Sequence, residues 1–321
     1  MWSNTWSIDM SLIVTGTIGI DTVHTPNGSA EGVLGGSCAY FAAASSHYTP
    51  TRLVGVVGDD WPESHREMLT SFPGIDLSGL EVRRGSSTFK WGGRYFDNMN
   101  DRETLFTELG VLEEHPPAVP DAFADSEFVF LGNTHPAVQL GMLKQLPDRI
   151  LAVADTMDLW INIAHDDLLQ LLQAVDGLVV NDSEATQLTE ERNAITAARR
   201  ILDLGPTFVV VKKGEHGCVL VHRDCKDVRV LPAFPVESDG VVDPTGAGDS
   251  FAGGMMGHIA THGRVDIDSL QEAIAWGTVT ASCTLGSFGL DGLRKVDLAG
   301  LESRMNQFQQ AACVGPRQVT A

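Results

Sequence analysis

Four short apolar runs that alternate with helical stretches constrain the fold of this chain more than any other sequence feature. They are rich in Val, Ile, Leu and Phe and occupy Phe128–Leu131, Ile150–Val153, Leu178–Val180 and Phe208–Val211. Continuous apolar strands separated by helices are typical of a parallel sheet that is covered on both faces. The sequence therefore predicts an α/β fold with a doubly wound, mostly parallel sheet.

Two segments in the first third of the chain have a different pattern. Ser87–Phe96 (STFKWGGRYF) alternates polar and aromatic residues, which is typical of an exposed antiparallel strand pair with one apolar face. Ile18–Val33 offers candidate partner strands. We therefore expect a single domain over residues 1–321, with a small β lid formed by segments of about 18–33 and 86–108.

Charge and cysteine content narrow the class of protein. The 42 acidic and 22 basic residues give a net charge of −20, which repels nucleic acid and anionic membranes. The five cysteines are odd in number and lack zinc-ligand spacing, so we expect free thiols in a reducing compartment. The first residues lack an apolar signal core, and no apolar run approaches the ~20 residues that span a bilayer. These features predict a cytoplasmic protein.

Polar residues follow each of the four apolar runs. Asn133, Asp155, Asn181 and the pair Lys212-Lys213 all come at or just after a strand end. Ligands of open α/β sheets bind at the carboxyl ends of the strands. The sequence thus predicts a ligand site at this edge of the sheet.

The stretch VDPTGAGDSFAGG, residues 242–254, carries the clearest chemistry. A glycine-rich turn that opens a helix points backbone N–H groups at one place, and this arrangement favours an anion. Asp249 lies at the mouth of that turn, where a carboxylate would repel phosphate unless it accepts a proton from an attacking hydroxyl. The alternative is that Asp249 only caps the helix.

The same stretch resembles the second signature of the PfkB, or ribokinase-like, family of carbohydrate kinases. Three more segments agree with that family: Gly35-Gly36, the N-x-x-E match Asn181–Glu184, and VVVKKGEHG at Val209–Gly217. The resemblance covers most of the chain. It implies a ribokinase-like fold and transfer of the γ-phosphoryl group of ATP to a hydroxyl of a small sugar. A nucleoside kinase similar to adenosine kinase is the alternative, and a non-catalytic ligand-binding homologue is the third option.

The resemblance also implies roles on the phosphate side of the site. Asp249 would be the catalytic base, and the anion hole would be formed by Gly246, Ala247 and Gly248. ATP would lie beside Lys213, Gly214, Gly217 and Asn181. Mg²⁺ would be held, mostly through water, by Asn181 and Glu184. In some members a monovalent cation such as K⁺ binds at the positions of Asp243 and Thr245.

On the acceptor side, the resemblance implies that a sugar or nucleoside binds at Asp21, Gly35, Gly36 and Tyr40. Several family members carry Asn at the position of Tyr40, so this aromatic ring predicts an altered pocket. The ring could stack on the acceptor or pack in the core. Exposed lid strands often pair between subunits in the family, which leaves a homodimer through the lid as an option.

Overall fold

The structure is a computed structural model that describes residues 10–237 and 240–312. Its strands are β1 (Leu12–Thr15), β2 (Gly19–Thr25), β3 (Gly28–Gly35), β4 (Thr51–Gly58), β5 (Ile75–Arg83), β6 (Phe89–Tyr95), β7 (Arg102–Glu108), β8 (Phe128–Leu131), β9 (Leu151–Ala154), β10 (Gly177–Asn181), β11 (Phe208–Lys212), β12 (Cys218–His222) and β13 (Cys225–Leu231). Its helices are α1 (Ser37–Ser45), α2 (Glu63–Thr70), α3 (Pro136–Leu143), α4 (Asp158–Ile163), α5 (His165–Leu172), α6 (Asp182–Thr189), α7 (Ala194–Leu202), α8 (Ala247–His262), α9 (Ile267–Thr284), α10 (Asp291–Arg294) and α11 (Leu298–Ala312).

The central sheet has nine strands in the order β13-β12-β11-β10-β9-β8-β1-β4-β5. The strands from β11 to β5 pair in parallel, while β12 and β13 add an antiparallel edge. One apolar core lies between the sheet and helices α1, α8, α9 and α11, and a second lies on the other face under α3, α5 and α7. The predicted doubly wound, mostly parallel sheet is confirmed.

A smaller sheet of four strands, in the order β3-β2-β6-β7, contains the two segments for which a lid is predicted, and it is called the lid below. Its two hairpin tips touch loops of the main body. In the β2–β3 tip, Asn27 Nδ2 donates to Val241 O at 2.6 Å and Thr25 Oγ1 donates to Val242 O at 2.9 Å. In the β6–β7 tip, Asn100 Nδ2 donates to Glu215 Oε1 at 3.2 Å. The lid therefore spans the carboxyl edge of the central sheet.

Two features differ from the expectation from sequence. Helix α8 begins at Ala247 rather than Ser250, so Gly248 and Asp249 belong to its first turn. The sequence analysis also did not identify β5 as a strand of the central sheet. β5 is an edge strand in which polar residues such as Asp76 and Ser78 alternate with half-buried ones, so it lacks the continuous apolar run of its neighbours.

Among residues 10–237 and 240–312, no helix combines the length and the hydrophobicity that a membrane crossing requires. Within the same ranges the cysteines are free thiols, and Cys38, Cys218 and Cys283 are buried. Cys313 lies outside the described residues.

Gln139 of α3 fixes the carboxyl ends of two neighbouring strands. Its side chain is fully buried, and Nε2 lies 2.8 Å from Leu131 O, 3.1 Å from Gly132 O and 3.0 Å from Asp155 O. Backbone carbonyls at a strand end must find donors when they are buried. One amide thus bonds to carbonyl groups at both strand ends and holds the segment that carries Asp155.

We predict that Gln139→Leu lowers the free energy of unfolding by about 1–3 kcal/mol, the cost of a buried polar group left without its partner. Chemical denaturation measures the change. The matched control is Gln170→Leu on α5, whose side chain is exposed. An equal effect of both substitutions would show that Gln139 has no special role.

Candidate active site

The first turn of α8 presents Asp249 at the carboxyl edge of the sheet. Gly246 is the residue before the helix and adopts a left-handed conformation with φ of 76°. A side chain there would also collide with the ring of Tyr40, so glycine is required twice over. Since Gly246 occupies the cap position, Asp249 is not the residue that caps the helix.

The predicted anion hole is the N-terminus of α8. The Ala247 N–H donates back to Pro244 O at 3.2 Å, and Ser250 N–H donates to Gly246 O at 2.8 Å. The N–H groups of a first helical turn otherwise have no intrahelical acceptor and carry the positive end of the helix dipole. Gly246, Ala247 and Gly248 therefore form a turn that can receive an anion.

Burial raises the pKa of Asp249, and the positive charges of Lys212 and Arg102 oppose that rise. Arg102 belongs to lid strand β7, where it lies 5.7 Å from the ring centroid of Trp91. The carboxylate thus faces one cation from the central sheet and one from the lid. The sequence placed Lys212 at this edge of the sheet without a separate role, and it did not identify Arg102.

Lys212 is the last residue of β11 and pairs in register with Asn181 of β10. A β-carbon at position 248 would lie only 2.7 Å from Lys212 Nζ. The ammonium group therefore sits directly against the first turn of α8. The sequence placed Lys212 and Lys213 together at the strand end, but it favoured Lys213 as the nucleotide contact.

Asp155 is a second site residue that the sequence placed at the sheet edge without a role. Its side chain is 6% exposed, and Oδ1 has no hydrogen-bond partner within the described ranges. Burial and the neighbouring charge of Asp249 raise its pKa well above the usual value, and Lys212 opposes them. A buried carboxyl with an open oxygen is suited to a ligand or a metal ion.

Asn181 and Glu184 form a reciprocal cap at the start of α6. Asn181 Oδ1 accepts from Glu184 N–H and from Ser183 Oγ, each at 2.8 Å, and Glu184 Oε2 accepts from Asn181 N–H at 2.8 Å. Asn181 Oδ1 is therefore already used twice. Burial raises the pKa of Glu184, with Lys212 opposing the rise.

The available oxygens fit Mg²⁺ in a limited way. Glu184 Oε1 and Asp155 Oδ1 are carboxylate oxygens close to one cation, Lys212, and Mg²⁺ uses one or two carboxylates together with phosphates and water. Across residues 10–237 and 240–312 no group of three or more His, Cys, Asp or Glu side chains could hold a metal. Such an arrangement suits a metal that arrives with a nucleotide.

The turn after β11 contains Lys213, Gly214 and Gly217. Gly214 and Gly217 have φ of 53° and 80°, and a side chain at Gly217 would collide with the backbone of Leu231. A β-carbon at Gly214 would lie 2.8 Å from Asn100 Oδ1 in the lid tip. The predicted nucleotide loop is thus also a docking point of the lid.

Asp21, Gly35 and Gly36 come together on the acceptor side. The Asp21 carboxyl lies so close to Gly35 that any side chain there would overlap it, and Gly36 N–H donates to it. Asp21 is 4% exposed, and its Oδ1 has no partner among the residues described. Burial, then the charges of Asp243 and Asp249, raises the pKa of Asp21 to about 8.

Tyr40 takes the packing role rather than the stacking role. Its side chain is 1% exposed, and the ring lies against Gly246, so no face of the ring is open to an acceptor. Asp243 and Thr245 lie next to it: Thr245 N–H donates to Asp243 Oδ1 at 2.8 Å, and Asp243 Oδ2 is buried with no partner in the described part of the chain. Tyr40 therefore packs against the turn at Gly246 and supports it.

Comparison with known proteins identifies the family of the chain. Residues 8–294 match the pfkB family of carbohydrate kinases. The chain is 29% identical over 285 residues to a cytidine kinase from Thermococcus kodakarensis. The aligned region covers 87% of this chain and 98% of the relative.

The fold is also that of solved kinase structures. Aminoimidazole riboside kinase from Salmonella enterica superposes with a TM-score of 0.74 and 19% identity, covering 92% of this chain and 99% of that structure. Ribokinase from Cryptococcus neoformans gives a TM-score of 0.75 with 20% identity over 91% of this chain and 99% of that structure. Since the family match takes in every strand of both sheets and the turn before Asp249, the chain belongs to the pfkB family of carbohydrate kinases.

Proposed function

We propose that the protein transfers the γ-phosphoryl group of ATP to a hydroxyl of a sugar or nucleoside, with Asp249 as the base. As a member of its family the chain is an ATP-dependent kinase. The observation that carries the residue assignment is the position of Asp249 in the first turn of α8, with the Lys212 ammonium against the preceding residue, Gly248.

The proposed reaction is a single in-line displacement. Asp249 takes the proton of the acceptor hydroxyl as its oxygen bonds to the γ-phosphorus, and the bond from that phosphorus to the β–γ bridging oxygen breaks. ADP leaves with the bonding electrons. Gly246, Ala247 and Gly248 would form the anion hole, in which N–H groups without an intrahelical acceptor stabilise the charge on the transferred group.

A bound Mg²⁺ ion would neutralise charge on the β- and γ-phosphates. Glu184 and Asp155 would hold it, since each has a carboxylate oxygen outside the helix cap. Asn181 acts by orienting Glu184 through the cap. A monovalent cation beside Asp243 and Thr245, and a homodimer paired through the lid, both stay predictions.

The acceptor is a free sugar or a nucleoside. The buried Asp21 carboxyl suits vicinal hydroxyls in both classes. The similarity to a cytidine kinase over most of both chains favours a nucleoside. Turnover with a panel of ribose, fructose, cytidine, adenosine and inosine decides between the classes. Turnover with none of them would overturn the proposed acceptor.

We predict that Asp249→Asn keeps the fold and the affinity for ATP but lowers kcat by about 10²–10⁴, because the amide cannot take the proton. Steady-state kinetics and nucleotide titration measure the two quantities. Asp166→Asn, at an exposed position in the first turn of α5, is the control for loss of a helix-terminal charge. A variant that keeps more than about a tenth of kcat would assign the base elsewhere.

We predict that Asp155→Asn and Glu184→Gln raise the Mg²⁺ concentration needed for half-maximal rate. Glu184→Gln keeps an oxygen for the Asn181 N–H, so the helix cap is largely retained. The expected loss of stability is then below the roughly 1 kcal/mol of a lost cap. Unchanged Mg²⁺ dependence together with a lower Tm would mean that these residues are structural.

We predict that Asp21→Ala raises KM for the acceptor far more than KM for ATP. A site that pairs with hydroxyls loses binding when its buried polar partner is removed. Kinetics at varied concentrations of each substrate separate the two constants. Equal increases in both KM values would show that Asp21 does not bind the acceptor.

A further inference from the structure

The position of the Lys212 side chain is not explained by the roles proposed for Asp249 and the turn before α8. Its ammonium lies against Gly248, the residue immediately before Asp249 in the chain. It is the strongest favourable charge felt by three partly or fully buried carboxyls, those of Asp155, Glu184 and Asp249. A lysine that served only to stabilise the fold would be expected to pair directly with one of them.

No such direct pair is formed. The ion pairs within 4.0 Å among residues 10–237 and 240–312 do not include Lys212. Lys212 is half-buried, and its ammonium lies against the first turn of α8. Its three donors therefore remain open toward the place where an anion would meet the helix.

We propose that Lys212 is a catalytic residue that binds the transferred phosphoryl group, and that position 248 is glycine to leave room for its ammonium. The proposal rests on the proposed use of ATP with Asp249 as base. It assigns the phosphoryl contact to Lys212 rather than to Lys213, the next residue along the chain.

The chemistry gives this cation a defined task. During transfer, negative charge is spread over the three oxygens of the phosphoryl group, and the protein contributes chiefly position and positive charge. The acceptor proton goes to Asp249, ADP leaves from the far side, and Lys212 keeps its protons throughout. The charge also offsets the repulsion between the Asp249 carboxylate and the incoming phosphate.

The first experiment compares nucleotides that differ by the γ-phosphoryl group. We expect Lys212→Met to weaken a non-hydrolysable ATP analogue about tenfold or more beyond any change for ADP, since a hydrogen bond to a charged group contributes about 1.5–3 kcal/mol. Isothermal titration measures both constants. We expect kcat to fall by roughly 10²–10³. Lys226→Met, at an exposed position of β13, is the charge-matched control.

Two further variants keep the test decisive. Lys212→Arg retains the charge, and we expect it to retain the preference for the ATP analogue if Lys212→Met folds poorly. Gly248→Ala displaces the ammonium, so we expect it to lower kcat when it is the single change. Added to Lys212→Met, it should lower kcat little further. Additive losses would show that position 248 and Lys212 act separately and would overturn the proposed reason for the glycine.

The outcomes separate this proposal from the proposed function. If the wild type phosphorylates an acceptor and Lys212→Met behaves like Lys226→Met, the role of Lys212 is overturned and the kinase stands. If Lys213→Met alone loses the preference for the ATP analogue, the contact belongs to Lys213. If no acceptor is turned over, the titrations still decide the role of Lys212, because they need no acceptor.

Discussion

The convergence of buried carboxyls at one edge of the sheet is the constraint on which the site depends. Asp155, Glu184 and Asp249 lie close enough to raise one another's pKa or to share a single cation, and burial raises the pKa of each. Repulsion of this kind is costly unless opposite charge is near. Lys212, at the end of β11, and the positive end of α8 supply the opposite charge. The carboxyls are therefore tolerated only because β11 and α8 come together at this edge of the sheet.

The two apolar cores make the meeting possible. Apolar side chains on both faces of β8 to β11 bury the sheet between two helical layers, and its carboxyl edge is left for polar residues. Gln139 then satisfies the carbonyls of two strand ends from within the layer. A rigid edge of this kind holds charged groups in fixed positions, which phosphoryl transfer requires.

The sheet and the turn before Asp249 could be predicted from the sequence because each depends on a short, local pattern of residues. Continuous apolar runs identify buried parallel strands, and the family resemblance adds the roles around residues 242–254. The resemblance favoured Lys213 as the nucleotide contact, whereas the Lys212 ammonium is the one that lies against the first turn of α8, because strand geometry decides which of two neighbours faces the helix. The sequence also could not find Arg102 or Gln139, and it gave Asp155 a position without a role, because the partners of these residues lie far away in the chain.

Tyr40 also shows that the residue type alone does not determine the role of a side chain whose contacts are distant in sequence. Its chemical type allowed either stacking on the acceptor or packing in the core, and its surroundings make it a support for Gly246. The two residues are in contact across more than two hundred positions of sequence.

That contact has a consequence for the evolution and redesign of acceptor specificity. Tyr40 also lies near Asp21, so a smaller residue at position 40 would open space beside that carboxyl and at the same time remove the ring that supports the phosphate turn. Acceptor choice and the geometry of the phosphate turn are therefore not independent traits in this chain. A change of substrate class through position 40 requires a compensating change near Gly246, so the two positions are expected to drift together rather than one at a time.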